Sequence, residues 1–184
     1  LLNDADSDVR YLTLAGLGSS GQPLDALRQL ILVLRSDDDN SVRHKAATLL
    51  WSLDRDVEPY LTVLFSLLLK QPLYACKDRV LYNGASLNCL RDDCWPEVID
   101  EILKLARSDA SALAMVAARL EDAERPNLHL LRLSWELFRS VSVVAEVASG
   151  LGGSFHENIA SAELLLRMGP SASTAVSALR RQLG

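Results

Sequence analysis

The residues best able to do chemistry stand far apart. His44, His129 and His156 are scattered along the 184 residues, and Cys76, Cys89 and Cys94 form an odd, unevenly spaced trio. Zinc sites are built from clustered Cys and His ligands. Cys89 and Cys94 have four residues between them and no histidine nearby, so no metal site is expected. In "SFHEN" (154–158) His156 stands beside Glu157, an acid–base pair in type. Successive helical residues point about 100° apart, however, and a surface or capping role fits better. "GLGG" (150–153) is not followed by Gly-Lys-Ser/Thr and reads as part of a flexible hinge "SGLGGS", not a phosphate cradle. Asp37-Asp38-Asp39 lacks the ligand spacing of a calcium loop and reads as a solvated turn. These residues point to no catalytic residue, no metal and no cofactor.

The elements that carry these residues read as helices. Hydrophobic residues make up 49% and charged residues 23%, a globular composition, while aromatics are only 5%. Leu and Ala are abundant, which favours helices over strands. The net charge of −5 comes with only four lysines, Lys45, Lys70, Lys77 and Lys104, and no basic cluster to displace counterions from phosphates. Nucleic acid is therefore not an expected partner. The longest apolar run, "YLTVLFSLLL" (60–69), is too short to cross a bilayer, and no charged-then-apolar leader opens the chain. With three unpaired cysteines the expectation is a soluble protein of the reducing cytoplasm. The chain opens on Leu1-Leu2-Asn3-Asp4, which reads as the tail of a preceding helix in a longer array.

One short pattern occurs twice. "NDADSDVRYLTLAGL" (3–17) and "SDDDNSVRHKAATLL" (36–50) each place an aspartate six residues before an arginine: Asp4 before Arg10, Asp37 before Arg43. Val9 and Val42 precede those arginines. Self-similarity at this period signals stacked helical hairpins. After the first pattern, Gly18 and Gly21 suit a helix stop and Pro23 the first turn of the next helix. Leu24, Leu27, Ile31 and Leu34 then form one helical face. In the second unit Ser41 is the expected N-cap, and Val42, Ala46, Leu49, Leu50 and Leu53 form the stripe. "DRD" (54–56) breaks it before a stripe of Val57, Leu61, Leu64, Phe65 and Leu68. Further along, Asn83-Gly84 signals a kink, and Asp93 and Pro96 open a helix with Trp95, Val98, Ile99, Ile102, Leu103 and Ala106 on one face. Asp100 and Lys104 support that helix at i, i+4. Residues 110–123 read as one helix and 127–148 as a long one of about 33 Å. Gly169-Pro170 separates two last helices, the final one striped by Ala172, Val176, Leu179 and Leu183. The expected class is all-α.

The twice-occurring Asp-x-x-x-x-Val-Arg resembles the HEAT repeat, and the tail "LLLRMGPSASTAVSALRRQL" looks like the HEAT-like variant named after phycobilisome lyases. The resemblance implies an α-solenoid of about four to five stacked hairpins, HEAT/armadillo-like. Its approximate units are 1–36, 37–72, 73–108, 109–150 and 154–184, forming a single domain over 1–184. On this reading Val9 and Val42 enter a continuous core. Asp4 and Asp37 satisfy free amides at helix starts, and Arg10 and Arg43 reach an acidic turn as a ladder. Those six residues are the structural signature. Trp51, Trp95 and Trp135 are expected to pack in the core or between repeats.

The resemblance implies a protein–protein interaction scaffold without catalytic activity, binding a protein or peptide along its second helices. Arg28, Arg35, Glu58, Thr62, Glu97 and Glu101 lie off the apolar stripes and are the expected contact face. A mixed, slightly acidic face would prefer a partner with basic groups. The family also includes solenoid enzymes, which give the alternative: a bilin-chromophore lyase subunit, or an alkylpurine glycosylase that holds DNA. An array with uncapped ends would expose apolar surface and self-associate through it.

Overall fold

The computed structural model describes residues 1–20, 28–123, 127–151, 155–176 and 180, except for 71–94. Among the described residues there are nine α-helices and no strand. The chain divides into two compact units, and the described parts of these are residues 1–70 and residues 95 onward. The cysteines, Asn83-Gly84, Asp93 and Pro23 lie outside the described residues.

The first unit contains α1 (Ser7–Ser19), α2 (Arg28–Leu34), α3 (Asn40–Asp54) and α4 (Val57–Lys70). Aspartates open its first-position helices. Asp6 Oδ1 accepts from the Asp8 amide at 2.8 Å, and Asp39 Oδ1 accepts from Ser41 and Val42 at 2.9 and 3.1 Å. The cap of α3 is thus Asp39, not Ser41: both residue types cap well, and the carboxylate stands first. Helix α3 packs on α1, α2 and α4. Leu14, Ile31, Leu34, Val42, Ala46, Leu49 and Leu50 are buried together with Leu2. Val9 is only half-buried, in contrast to the fully buried Val42. Gly18 does not stop α1 but lies within it, where an added Cβ would come within 3.0 Å of Leu49 Cδ2. The start of α1 meets the start of α3 through Arg10 and Asp37, and its end meets Leu49, so the two helices run parallel. All five residues of the expected α4 stripe are buried.

The second unit contains α5 (Trp95–Ser108), α6 (Ala110–Glu121), α7 (Leu128–Phe138), α8 (Val141–Ser149), α9 (Phe155–Met168) and a 3-10 helix, Gly169–Ala175. The stretch 127–148 is two helices, not one long one. Arg139 turns left-handed at φ 51°, its amide donates to Trp135 O at 3.0 Å, and α8 begins two residues later. Helix α7 packs on α5, α6, α8 and α9. Trp135, Val143, Val144, Val147, Leu164, Leu165 and Met168 form the centre of this core. Asp100 of α5 lies 3.5 Å from Arg132 of α7, and Arg107 lies 3.6 Å from Glu136, so α5 and α7 also run parallel. Asp100 therefore pairs across helices, not with Lys104 as the i, i+4 spacing suggests. At Gly150 an added Cβ would meet Ser161 Oγ at 2.8 Å, and Leu151 beside it is buried; residues 152–154 of the expected hinge lie outside the described residues. Gly169 (φ 59°) starts the 3-10 helix, and Val176 remains 42% exposed, not part of a buried stripe.

Candidate protein-binding groove

The twice-occurring turn has the same internal geometry in both places. Arg10 Nη1 donates to the Asp4 and Ala5 carbonyls at 2.8 and 3.0 Å. Arg43 Nη1 donates to the Asp37 and Asp38 carbonyls at 2.6 and 3.2 Å. The six-residue spacing is what folds each arginine back over its own turn. Asp4 Oδ1 accepts from the Asp6 amide and Asp37 Oδ1 from the Asp39 amide, each at 2.9 Å.

The turns differ in where the second guanidinium nitrogen goes. Arg10 crosses to the next turn, with Nε to Asp37 Oδ2 at 2.8 Å and Nη2 to Asp37 Oδ1 at 2.7 Å. This fork geometry is the strongest form of the pair. Both side chains are largely covered, at 14% and 7% exposure. Asp37 is therefore not a solvated residue. Burial pushes its carboxyl up, but the Arg10 hydrogen bonds, the Asp39 amide and the charges of Arg10 and Arg43 outweigh that and hold it below the ordinary carboxylate range. Arg43 instead donates Nη2 to Asn40 Oδ1 in its own turn. Ser7 holds the equivalent place before Arg10. The ladder thus has one rung among the described residues.

That rung fixes the turn in which Arg35 and Ser36 connect α2 to α3. Beside it, Arg35, Ser36, Glu58, Pro59, Thr62, Val63 and Ser66 line an open groove of ≈ 420 Å³. Pro59 lies in the first turn of α4, where its missing N–H costs little. Thr62 Oγ1 donates to the Glu58 carbonyl at 2.9 Å, and Ser66 Oγ donates to the Val63 carbonyl at 2.8 Å. Both hydroxyl protons are spent inside α4. The charged groups of the groove are Arg35 and Glu58, and neither forms an ion pair among the described residues.

Of the six contact residues expected from sequence, the groove unites Arg35, Glu58 and Thr62. Arg28, on α2, instead pairs with Asp54 at 2.6 Å. Glu97 and Glu101 are on α5 of the second unit. Glu101 is half-buried, and the side chain of Glu97 lies outside the described residues. Residues absent from that expectation, Pro59, Val63 and Ser66, complete the wall. Their i, i+4, i+7 spacing on α4 was the available signal.

Trp51 is half-buried and stacks on Tyr60, with centroids 5.6 Å apart, and Arg55 lies over it at 5.5 Å. Trp135 is buried under Arg139 at 5.2 Å. The side chains of Trp95, His156 and Glu157 lie outside the described residues. Among the described residues no cluster of three or more His, Cys, Asp or Glu could hold a metal. No described helix is long and apolar enough to cross a membrane. Comparisons with family models, curated proteins and solved structures found no match.

Proposed function

We propose that the chain is a HEAT-like α-solenoid that works in the cytoplasm as a protein-interaction scaffold. The observation that carries this reading is the open groove in which Arg35, in the turn after α2, lies together with Glu58 and Thr62 of the second-position helix α4. Further support comes from the architecture. The Asp-Val-Arg turns are joined by Arg10 and Asp37, and in each unit a helix packs parallel to the helix after next. Stacked parallel first helices are what a repeat array needs to make one continuous core. The two groove charges of opposite sign suit a peptide carrying both an acid and a base. Hydroxyls already spent within α4 leave apolar contact to the Val63 region and the methyl of Thr62.

Selection from a random peptide display library, followed by direct titration, tests this. Enriched peptides should bind the native chain and lose about tenfold or more affinity for R35E/E58K, since rim charges set specificity and encounter. Equal binding to both proteins would remove the groove from the reading. Recovery of bound nucleic acid or a coloured tetrapyrrole from native lysate, with no protein enriched, would favour a solenoid enzyme instead.

A further inference from the structure

Helix α9 and the 3-10 helix that follows it border an open groove of ≈ 400 Å³. Ala162, Leu165, Leu166 and Gly169 line it from α9 and its end, and Ala172 and Val176 line it further on. No charged residue lines it. Ala162, Leu165, Leu166 and Gly169 stand at i, i+3, i+4 and i+7. That is the spacing of the four residues that make a hole for the knob of a facing helix. Ala162 and Gly169 are its small corners, and the buried Leu165 is part of its floor. The fourth member is also a knob. Leu166 is 82% exposed, and no large hydrophobic residue among the described ones is more so. An exposed leucine beside an apolar groove marks an interaction site.

We propose that this groove is the interface of a two-fold dimer: a second copy of the chain packs its α9 antiparallel on the first, and each Leu166 enters the hole of the other. The surface lies wholly within the second unit and does not depend on the groove of the first.

The patch selects a second copy because it complements itself. A two-fold interface brings the same surface to both sides. A charged patch would then meet its own charge, whereas this groove has none to repel. The flank adds attraction. Glu163 and Arg167 are four residues apart, both exposed, and on the same side of α9. A two-fold axis crossing the helix pair at Leu165, midway between them, sets Glu163 of each copy opposite Arg167 of the other. A parallel pair would set Glu163 against Glu163. The flank thus specifies the antiparallel direction, as e and g positions do in coiled coils. The contact is short, limited to the last two turns of α9 and the 3-10 helix, so a dimer that dissociates in the micromolar range follows.

Sedimentation equilibrium of the full chain over a dilution series tests this, and a monomer–dimer equilibrium is expected. Leu166→Asp should weaken the dimer about a hundredfold or more, since each copy then brings a carboxylate to an apolar hole. Leu166 is exposed in the single chain, so the variant should stay folded, as circular dichroism melts will establish. Leu12→Asp, equally an exposed leucine but on α1 of the first unit, should dimerise as the native chain does. Glu163→Arg and Arg167→Glu should each weaken the dimer about fivefold, and the double variant should recover the native Kd. A monomer at every concentration, native dimerisation of Leu166→Asp, or loss of the dimer in Leu12→Asp would overturn the proposal. Charge variants that leave the Kd unchanged, or a double variant weaker than either single one, would overturn it too, because the helices would then not meet antiparallel about Leu165.

Discussion

Two helix–turn–helix hairpins of the molecule, 84 positions apart, share a pattern and differ in how they use it. Trp51-x-Leu53-x-Arg55-x-Val57 joins α3 to α4, and Trp135-x-Leu137-x-Arg139-x-Val141 joins α7 to α8. In both, the arginine is left-handed, at φ 54° and 51°, and its amide donates to the tryptophan carbonyl at 3.0 Å. In both, its guanidinium lies over the indole. Buried positions coincide as well: Ala46 with Leu130, Leu49 with Leu133, Val63 with Val147, Leu67 with Leu151. Yet Val57 is 8% exposed and Val141 63%. Trp51 is half-covered and stacks on Tyr60, whereas Trp135 is 3% exposed, with Val144 in the place of Tyr60 and Nε1 lacking an acceptor. The shared turn sets backbone direction. What surrounds the indole decides whether it belongs to core or surface.

The largest effect that could break this comparison is truncation of the two tryptophans. Trp135→Ala should cost about 3–5 kcal/mol in urea unfolding followed by circular dichroism, and Trp51→Ala about 1–2 kcal/mol. Equal costs would mean that the two turns are energetically equivalent despite their burial. The next largest effect sits in the other repeated turn. Asp37→Ala should cost about 2 kcal/mol, because it strands the charged donors of Arg10 and frees the Asp39 amide. The same carboxylate gives a pH signature. Its folded-state pKa lies below 3.8, so its contribution is complete above pH 3.8 and is lost as the pH falls through the lower folded value. Acid titration of stability should lose that component in Asp37→Asn; an unchanged acid limb would disprove the assignment.

Two glycines give smaller effects of opposite sign. Gly150→Ala forces a Cβ against the fully buried Ser161 and should destabilise by about 1–2 kcal/mol. Gly16→Ala, inside α1 with nothing within 4 Å of the new Cβ, should stabilise by about 0.5–1 kcal/mol. Smallest of all, Arg55→Gly and Arg139→Gly should each fall within about 0.5 kcal/mol of native. Relief of the left-handed backbone roughly offsets the lost cation–π contact. A clear loss in either would show that the stacked guanidinium outweighs the strain.

The helices and most apolar stripes were legible because helical periodicity survives any arrangement of the helices. The Asp-Val-Arg turn was also visible, since its chemistry lies within seven consecutive residues. What it does between turns was not: Arg10 crosses to Asp37, while Arg43 donates to Asn40 in its own turn, where the first turn has Ser7 in the equivalent place. The break at Arg139-Ser140 was not legible because neither residue is a customary helix breaker; the left-handed arginine lies with its guanidinium over the Trp135 indole. In the groove, Arg35, Glu58 and Thr62 could be picked as residues off the apolar stripes. Arg28 lies off the stripes by the same spacing, but Asp54, 26 positions away, takes its charge.

The doubly employed carboxylate of Asp37 also bears on the order of folding. Its Oδ1 closes the turn that leads into α3 and at the same time receives Arg10. Docking of the first hairpin and completion of the second hairpin's first turn therefore reinforce each other through one oxygen atom. An opening fluctuation that detaches α1 should loosen the Asp39 amide with it, so these two hairpins would lose amide protection together, as a single cooperative block.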